Sequence, residues 1–178
     1  MFLFKSRQKV SGAAAEGADL AQTFRKGMKK NASAVGLITA ARGSKYYGLT
    51  AVSCISLAMD PPSLLVSVNK RASAHDAIVS TRRFAVILLG EGQEEHARRF
   101  ADSARRGERF KHGAWSRRKD AAPVLEEGYA ARFECDLHET VDVFSHSLMV
   151  GLVARAAIGA APPLVYSEGR YGRFETAE

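Results

Sequence analysis

The sequence predicts a mainly β protein, in which the strands form a barrel and a few helices lie at its periphery. Three observations support this prediction. Apolar or alternating segments of strand length recur along most of the chain, separated by turn residues. Helical periodicity occurs in only three segments. The two longest alternating segments, 129–141 and 144–158, are joined by a tight turn, so we expect them to pair as antiparallel neighbours.

The first 17 residues show neither the alternation of a strand nor the periodicity of a helix. They are rich in Lys, Ser, Gly and Ala, and we expect a flexible N-terminal tail at 1–17 followed by one folded domain at 18–178. Asp19 and Gln22 resemble a helix-capping pair. Apolar residues then recur every four positions, at Leu20, Phe24 and Met28. This spacing predicts a helix over 19–31 that buries one stripe of side chains.

Four strands are expected in the first half of the domain, at 33–41, 45–53, 63–69 and 82–90. Arg42-Gly43-Ser44 supplies the turn between the first two. Asp60-Pro61-Pro62 forms a corner before the third, because proline cannot donate a ladder hydrogen bond. Ser73 followed by Asp76 predicts the start of a short helix at 74–80.

The second half begins with a polar helix at 93–104, with Ala97, Phe100 and Ala104 on one face. Residues 105–127, which contain Trp115, are expected to form a loop-rich insertion or lid. The two long strands follow, with their turn at Asp142. Two short strands around Glu168-Gly169 complete the domain.

Bulk composition is that of an ordinary globular protein. The chain has 178 residues, of which 46% are hydrophobic and 25% charged, and no apolar run approaches the roughly 18 residues of a membrane span. Cys54 and Cys135 have neither CxxC nor metal-ligand spacing. We therefore expect that both thiols are reduced and that the protein is cytoplasmic and does not associate with a membrane.

Positive charge is concentrated in residues 98–119, which hold nine Lys or Arg and two acids and so account for the whole net charge of +7. A local cationic patch indicates an anionic ligand or partner. Two alternatives stay open, a solvated helix and loop face, and a nucleic-acid surface. The second alternative lacks a recognisable reading motif.

A candidate anion site lies at the start of the 74–80 helix. Lys70, Arg71 and the hydroxyl of Ser73 come together there with free backbone N–H groups. This combination suits a phosphate. The alternative is that Ser73 is only an N-cap and that the two cations are solvated.

Small side chains dominate residues 48–56, which read GLTAVSCIS. A strand that served only the core would use larger β-branched or aromatic residues. One explanation is a planar ligand that lies against the backbone, and the other is a tightly packed barrel strand. Strands 45–53 and 63–69 could be neighbours in the sheet. The ring of a ligand could then lie along strand 45–53, and its phosphate would reach the start of the helix that follows strand 63–69.

The ordered set of motifs resembles the flavin reductase family, the small reductase components of two-component flavin-dependent monooxygenases. The matching segments span about 20–174 and are FRKGM (24–28), GLTAVSCISLAMDPPSLLVSV (48–68), ASAHDAI (72–78), RRFAVILL (82–89), the helix 93–100, SHSLMVGLV (145–153) and PPLVYSEGRYGRF (162–174). The resemblance implies a split β-barrel of the FMN-binding type.

The resemblance also implies a set of flavin-binding residues. Those matching the strand against which the ring lies are Tyr46, Tyr47, Gly48, Leu49, Thr50, Val52 and Ser53. Further positions that line the site are Ser67, Val68, Asn69, Arg99 and Phe100. Ser73 and Ala74 match the phosphate-binding helix start, in agreement with the anion site above.

On the nicotinamide side the resemblance implies His146, Ser147, Gly151 and Tyr171. The family's Gly-Asp-His element reads Phe144-Ser145-His146 here, so the histidine is kept and the acid is not. His146 is the candidate catalytic residue, as a hydrogen-bond donor to the carboxamide or to the flavin. The alternative is a strand histidine that is satisfied locally. No metal site is expected.

The implied function is hydride transfer from NADH or NADPH to FMN or FAD, with reduced flavin diffusing to a partner monooxygenase. A homodimer is implied as well. Two alternatives remain, a non-enzymatic flavin carrier of the same fold and a protein that binds nucleic acid or an acidic partner through residues 98–119. A variant of the enzyme would pass electrons to ferric complexes. Nicotinamide oxidation that depends on added flavin would separate the enzyme from the carrier.

Overall fold

The computed structural model describes residues 14–116, 118–119 and 121–175, and the side chains from residue 19 onward within the first helix. The helices are α1 (Ala14–Lys29), α2 (Ser73–Thr81) and α3 (Glu94–Ala101), and a 3₁₀ turn occupies Arg106–Glu108. The strands of the first half are β1 (Ser33–Ala34), β2 (Gly36–Arg42), β3 (Lys45–Ala51), β4 (Cys54–Met59), β5 (Pro62–Asn69) and β6 (Arg83–Leu89). Those of the second half are β7 (Trp115–Ser116), β8 (Val124–Leu125), β9 (Tyr129–Val143), β10 (His146–Ile158), β11 (Leu164–Ser167) and β12 (Arg170–Arg173).

The main sheet has seven strands in the order β3-β2-β6-β9-β10-β5-β4, and every neighbouring pair is antiparallel. Smaller sheets are formed by β1-β11-β12 and by β7-β8. The prediction of a mainly β fold with a few peripheral helices is confirmed. Among the described residues, no helix is long and apolar enough to cross a bilayer.

Alternation along β2 and β6 divides the apolar side chains between two clusters. Ile38, Phe84 and Val86 face one way and pack with α2. Leu37 and Ile87 face the other way and pack with Phe100 of α3 and with Val124 and Leu125 of β8. This is the period of two that a strand imposes. The sheet therefore carries one helix on each side, and the segment after α3 covers part of the second cluster.

The segment 48–69 holds three strands where the sequence suggested two. The chain leaves β3 after Ala51 and forms β4 at the edge of the sheet before it turns into β5. Four strands separate β3 from β5 in the sheet order, so they are not ladder neighbours as the planar-ligand argument required. A local link remains, because the Ser53 hydroxyl donates to the Ser67 carbonyl at 3.1 Å.

Several boundaries also differ from prediction. Helix α1 begins at Ala14, so residues 14–17 are helical, while the rest of the predicted tail lies outside the described residues. The predicted strand 33–41 divides at Val35 into β1 and β2, which belong to different sheets. Asp142 lies within β9, and the tight turn is at Phe144-Ser145, with Phe144 at φ 51°. Glu168-Gly169 forms the predicted hairpin turn, with both residues at positive φ.

The helices depart from prediction in what they bury. The stripe of α1 is exposed within this chain, at Leu20, Phe24 and Met28. Helix α3 ends at Ala101, three residues before the expected end, and Ala104 is exposed. Apolar side chains are also exposed on the edge strand β4, at Ile55, Leu57 and Met59. These two surfaces lack a partner within the described chain.

Candidate functional site

The central cleft lies where β3, the start of α2 and the end of α3 meet. It has a volume of about 230 Å³. Its lining residues are Gly48, Leu49, Thr50, Ala72, Ser73, Phe100, Ala101, Ser103, Arg106 and Arg109. The structure thus brings together five residues that the sequence proposed from three separate segments, namely Gly48, Leu49, Thr50, Ser73 and Phe100.

Gly48 is small because the ring of Phe100 packs directly against it. A Cβ atom added at Gly48 would lie 2.6 Å from Cε1 of Phe100. The Phe100 ring is held in turn by Phe110 and Trp115, with centroids at 5.1 Å and 5.6 Å. This close approach, and not free space for a ligand, explains the glycine. Trp115 belongs to this aromatic wall.

Arg109 places a positive charge beside the aromatic wall of Phe100, Phe110 and Trp115. It is only 6% exposed, and its guanidinium donates to the carbonyls of Gly48, at 2.5 Å, and of Asp102, at 3.0 Å. Burial lowers the pKa of Arg109, as does the nearby charge of Arg106. Its buried Nε has no hydrogen-bond partner among the described residues. A buried guanidinium next to a second arginine is suited to an anionic ligand.

The start of α2 supplies the other half of an anion site. Ala72 is the N-cap and makes no side-chain capping bond, and Ser73 is the first helical residue, so the prediction of Ser73 as a cap is wrong. In the first turn the N–H of His75 donates to the carbonyl of Ala72 at 2.9 Å, whereas the first N–H groups of a helix generally have no acceptor within it. Together with the hydroxyls of Ser73 and Ser103, they offer donors to a phosphate.

The cations at this end are not the ones that the sequence proposed. Lys70 pairs with Asp142 at 3.0 Å, and Arg71 is exposed. Arg106 and Arg109 line the cleft instead. Their signal in the sequence is weak, since they are two of nine basic residues in the segment 98–119.

Much of that basic segment is engaged internally. Arg99 and Arg105 both pair with Glu95, at 3.2 Å and 2.8 Å. Arg118 pairs with Glu134. The segment is therefore part of the scaffold around the cleft, which disfavours the reading of 98–119 as an open nucleic-acid surface.

Thr50 joins the central cleft to a second one. Its hydroxyl donates to the carbonyl of Ala97 in α3 at 2.6 Å. The second cleft, about 190 Å³, is lined by Val35, Thr50, Ala51, Val52, Ala101, Tyr166 and Tyr171. Thr50 and Ala101 line both clefts. The predicted residues Val52 and Tyr171 are thus adjacent to the predicted flavin strand.

Some predicted flavin residues support the site without lining the two clefts. Val68 and Ala74 are fully buried in the core. Asn69 accepts a hydrogen bond from the backbone of Arg71. The ring of Tyr46 lies 5.7 Å from that of Phe110.

The other supporting residues are held by packing or by charge. Tyr47 packs against the first cluster, beneath the guanidinium of Arg42. Ser67 is bonded to Ser53, and its own side chain lines neither cleft. Arg99 is directed to Glu95, so the prediction that it reaches the ligand is not matched by this geometry.

The predicted nicotinamide residues are divided between different places. His146 pairs in register with Asn69 at the β5 side of the sheet, and its Nδ1 lies 2.9 Å from Ser145 Oγ. Gly151 is in the core, where an added Cβ would lie 2.5 Å from the Phe84 ring, so its smallness serves packing. Tyr171 lines the second cleft, and His146 lines neither of the two clefts described above.

Ser147 is buried and belongs to a polar network that reaches the exposed carboxylate of Asp142. Its hydroxyl donates to Asp142 at 2.6 Å and lies 2.9 Å from Nε2 of His75. Because that hydroxyl has one proton, which goes to Asp142, His75 is the donor in the second bond. The hydrogen bond from Ser147, and then the charge of Lys70, lower the pKa of Asp142. The network ties the β9–β10 hairpin to the start of α2.

No group of His, Cys, Asp and Glu side chains suited to a metal occurs within the described part of the chain. Cys54 and Cys135 are free thiols. Burial raises the pKa of Cys135 to about 12 and also raises that of Cys54. Both thiols therefore act as small apolar side chains.

The chain matches the family described as flavin reductase like domain over residues 28–175. It is 38% identical over 152 residues to an FMN reductase (NADH) RutF 1 of Methylorubrum extorquens, covering 85% of this chain and 75% of that one. It is 33% identical over 158 residues to the FMN reductase (NADH) SmoA of Agrobacterium fabrum, covering 89% and 88%.

Two solved structures are similar over most of their length. The NADH:FAD oxidoreductase SgcE6 of Streptomyces globisporus, in complex with NAD and FAD fragments, has a TM-score of 0.80 at 31% identity, covering 89% of this chain and 94% of that one. BorF, the flavin reductase component of a bacterial two-component tryptophan halogenase, has a TM-score of 0.79 at 28% identity, covering 88% and 99%.

Proposed function

The chain belongs to the flavin reductase-like domain family, and on this premise we propose that it is an NAD(P)H-dependent flavin reductase with a split-barrel fold. Its cofactors are a flavin, FMN or FAD, and a reduced nicotinamide dinucleotide. The observation that carries the proposal is the central cleft, in which a strand backbone, a helix start and two arginines meet. Two of its relatives are named FMN reductase (NADH), so NADH is the expected reductant.

The residues present fit a flavin. Gly48, Leu49 and Thr50 line the cleft and belong to β3, an edge strand of the main sheet, whose backbone groups can align the edge of a planar ring. Arg106 and Arg109, which also line the cleft, and the start of α2 suit the flavin phosphate.

The protein's contribution to the reaction is binding, orientation and exclusion of water. The bound flavin and nicotinamide supply the hydride chemistry themselves. The Phe100–Phe110–Trp115 wall keeps one side of the cleft apolar. Thr50 holds β3 against α3, so the junction between the two clefts keeps its shape. Fixed juxtaposition of two rings at that junction is the source of rate enhancement.

The quaternary arrangement that we propose is a homodimer. The support is the apolar surface that a single chain leaves uncovered on α1 and β4, at Phe24, Ile55 and Met59 among others. An exposed apolar edge strand favours pairing with another chain. A second subunit is also the route by which His146 would reach a nicotinamide, since His146 and Tyr171 line no common cleft among those described here. The role of His146 as a hydrogen-bond donor stays a prediction.

The product is reduced flavin, which we propose diffuses to a partner monooxygenase in the cytoplasm. Reductase components of two-component systems are among the similar structures. The free thiols Cys54 and Cys135 are consistent with a reducing compartment.

The decisive experiment follows nicotinamide absorbance with purified protein, NADH or NADPH, and FMN or FAD. Oxidation that turns over with added flavin is the expected result. Flavin binding without oxidation would overturn the reductase and favour a carrier. Salt-sensitive binding to DNA without either signal would favour the basic segment as the functional surface.

A matched pair of variants tests the position of the phosphate. Arg106→Gln removes an exposed cation from the cleft, and Lys111→Gln removes an exposed cation of the same segment outside it. We expect Arg106→Gln to weaken FMN binding about tenfold, because a charge-assisted hydrogen bond is lost, and to leave riboflavin binding unchanged. Equal loss for riboflavin and FMN would show that the phosphate does not bind at Arg106.

A further inference from the structure

A third cleft adjoins the second one and shares Tyr171 with it. It has a volume of about 480 Å³ and is lined by Glu94, Arg98, Gly169, Arg170 and Tyr171. Tyr171 also lines the second cleft, which shares Thr50 and Ala101 with the central one. The second cleft therefore shares lining residues with both of the others.

The third cleft combines two cations, one carboxylate and an aromatic face. The guanidinium of Arg98 lies over the ring of Tyr171, 5.1 Å from its centroid. Arg170 is 82% exposed, and its ion pair with Glu168 is long, at 3.8 Å. Arginine forks bind phosphate oxygens in bidentate fashion. Exposed aromatic rings and guanidinium planes are surfaces on which a nucleobase stacks.

Glu94 adds a carboxylate to the lining of this cleft. It lies one helical turn before Arg98 on α3, and both line the cleft. A carboxylate in such a position accepts a hydrogen bond from a ribose 2′-hydroxyl and repels a 2′-phosphate. The arginines of this segment are thus accompanied by an acid that opposes NADPH.

We propose that the third cleft binds the adenosine diphosphate portion of a dinucleotide, with Glu94 as the residue that selects NADH over NADPH. The proposal rests on the proposed function. Two molecules carry this chemistry, NADH and FAD. We favour NADH, because the third cleft shares Tyr171 with the second cleft but shares no lining residue with the central one, where Ser73 and Arg106 suit the flavin phosphate. The adenylate of FAD is attached to that phosphate.

The first test measures binding without turnover. ADP-ribose is titrated by calorimetry into wild-type protein and into the variants Arg98→Gln, Arg170→Gln and, as the control, Lys111→Gln. We expect ADP-ribose affinity to fall about tenfold in each of the first two variants, since each loses a charge-assisted contact, and to be unchanged in the control. Unchanged affinity in both cleft variants would overturn the proposal.

The second test separates the two sources. FMN and FAD affinities are measured by flavin fluorescence in the same proteins. With NADH as the source, FMN and FAD bind alike and Arg98→Gln changes neither. An FAD advantage over FMN that Arg98→Gln abolishes would overturn NADH as the occupant and assign the cleft to the flavin adenylate.

The third test concerns Glu94. The ratio of kcat/KM for NADH to that for NADPH is compared between wild type and Glu94→Gln at saturating FMN. We expect the ratio to fall about tenfold, because the repulsion of the 2′-phosphate is removed. An unchanged ratio would overturn the role of Glu94. Absence of NADH oxidation in the wild type would instead overturn the proposed function, and ADP-ribose binding is measured independently of it.

Discussion

Gly48→Ala tests the contact on which the central cleft is built. The new Cβ atom would lie 2.6 Å and 2.9 Å from two atoms of the Phe100 ring and 3.2 Å from the carbonyl oxygen of Ile38. Ordinary contact begins at 3.4 Å, so the ring must retreat by about 0.8 Å. It cannot do so freely, because it is 1% exposed and held by Phe110 and Trp115.

The expected cost is that of overpacking a well-filled core, about 1–3 kcal/mol of unfolding free energy. For a chain of this size each kcal/mol lowers Tm by about 2–4 °C. Displacement of Phe100 also narrows the cleft, so we expect FMN to bind about tenfold more weakly, which corresponds to roughly 1.4 kcal/mol. Thermal unfolding without flavin measures the first effect, and a fluorescence titration with FMN measures the second.

Gly27→Ala is the matched control, since it makes the same chemical change in α1 with nothing within 4 Å of the added carbon. It should leave FMN binding unchanged and raise stability by up to about 1 kcal/mol through helix propensity. Wild-type stability and affinity in Gly48→Ala would refute the packing argument. Lower stability with unchanged FMN affinity would refute the location of the flavin cleft alone.

Three further predictions follow from individual side chains. Thr50→Trp places a large ring at the junction of two clefts and should abolish flavin binding in a protein that still unfolds cooperatively; retained affinity would contradict this position. Asp142→Asn should lower Tm at neutral pH by weakening the pairing with Lys70. The pKa of Asp142 is lowered, so its contribution is present above the unfolded value of about 3.9 and is lost as pH falls through the folded value; a difference from wild type that does not shrink as the pH is lowered below the unfolded value would be evidence against it. Cys54 and Cys135, whose pKa values burial raises, should react with a thiol reagent at pH 8 only after unfolding, and rapid labelling of the native protein would show that they are accessible.

Local patterns predicted the elements better than their arrangement. Alternation over 129–141 and 144–158 located β9 and β10, and the pair Glu168-Gly169 located the last hairpin, because these signals act within a few residues. The separation of β3 from β5 by four strands could not be predicted from periodicity, which does not say which strands pair. The apolar stripe of α1 correctly predicted a helix, but its side chains are exposed in the single chain. A periodic pattern does not tell whether a helix packs within its own subunit or against another one.

The site shows the same limit. The resemblance to a family brought Gly48, Thr50, Ser73 and Phe100 to attention, and the structure places all four around one cleft. The cations could not be chosen from the sequence, because nine basic residues in 98–119 look equivalent until their partners are known. Arg109 differs from the others by being buried. The small side chain of Gly48 had been explained by a ligand, and the structure explains it by an aromatic neighbour.

The two residues predicted to contact the nicotinamide, His146 and Tyr171, lead to different conclusions. Tyr171 lines a cleft that adjoins the flavin strand through Thr50, so its contact with a nicotinamide requires only this chain. His146 lies beside Asn69, close to the network of Ser147 that anchors the start of α2. A nicotinamide that stacks near Thr50 would meet Tyr171 from within the subunit, and we propose that His146 reaches it across an interface. The exposed apolar surfaces of α1 and β4 supply a reason for that interface to form.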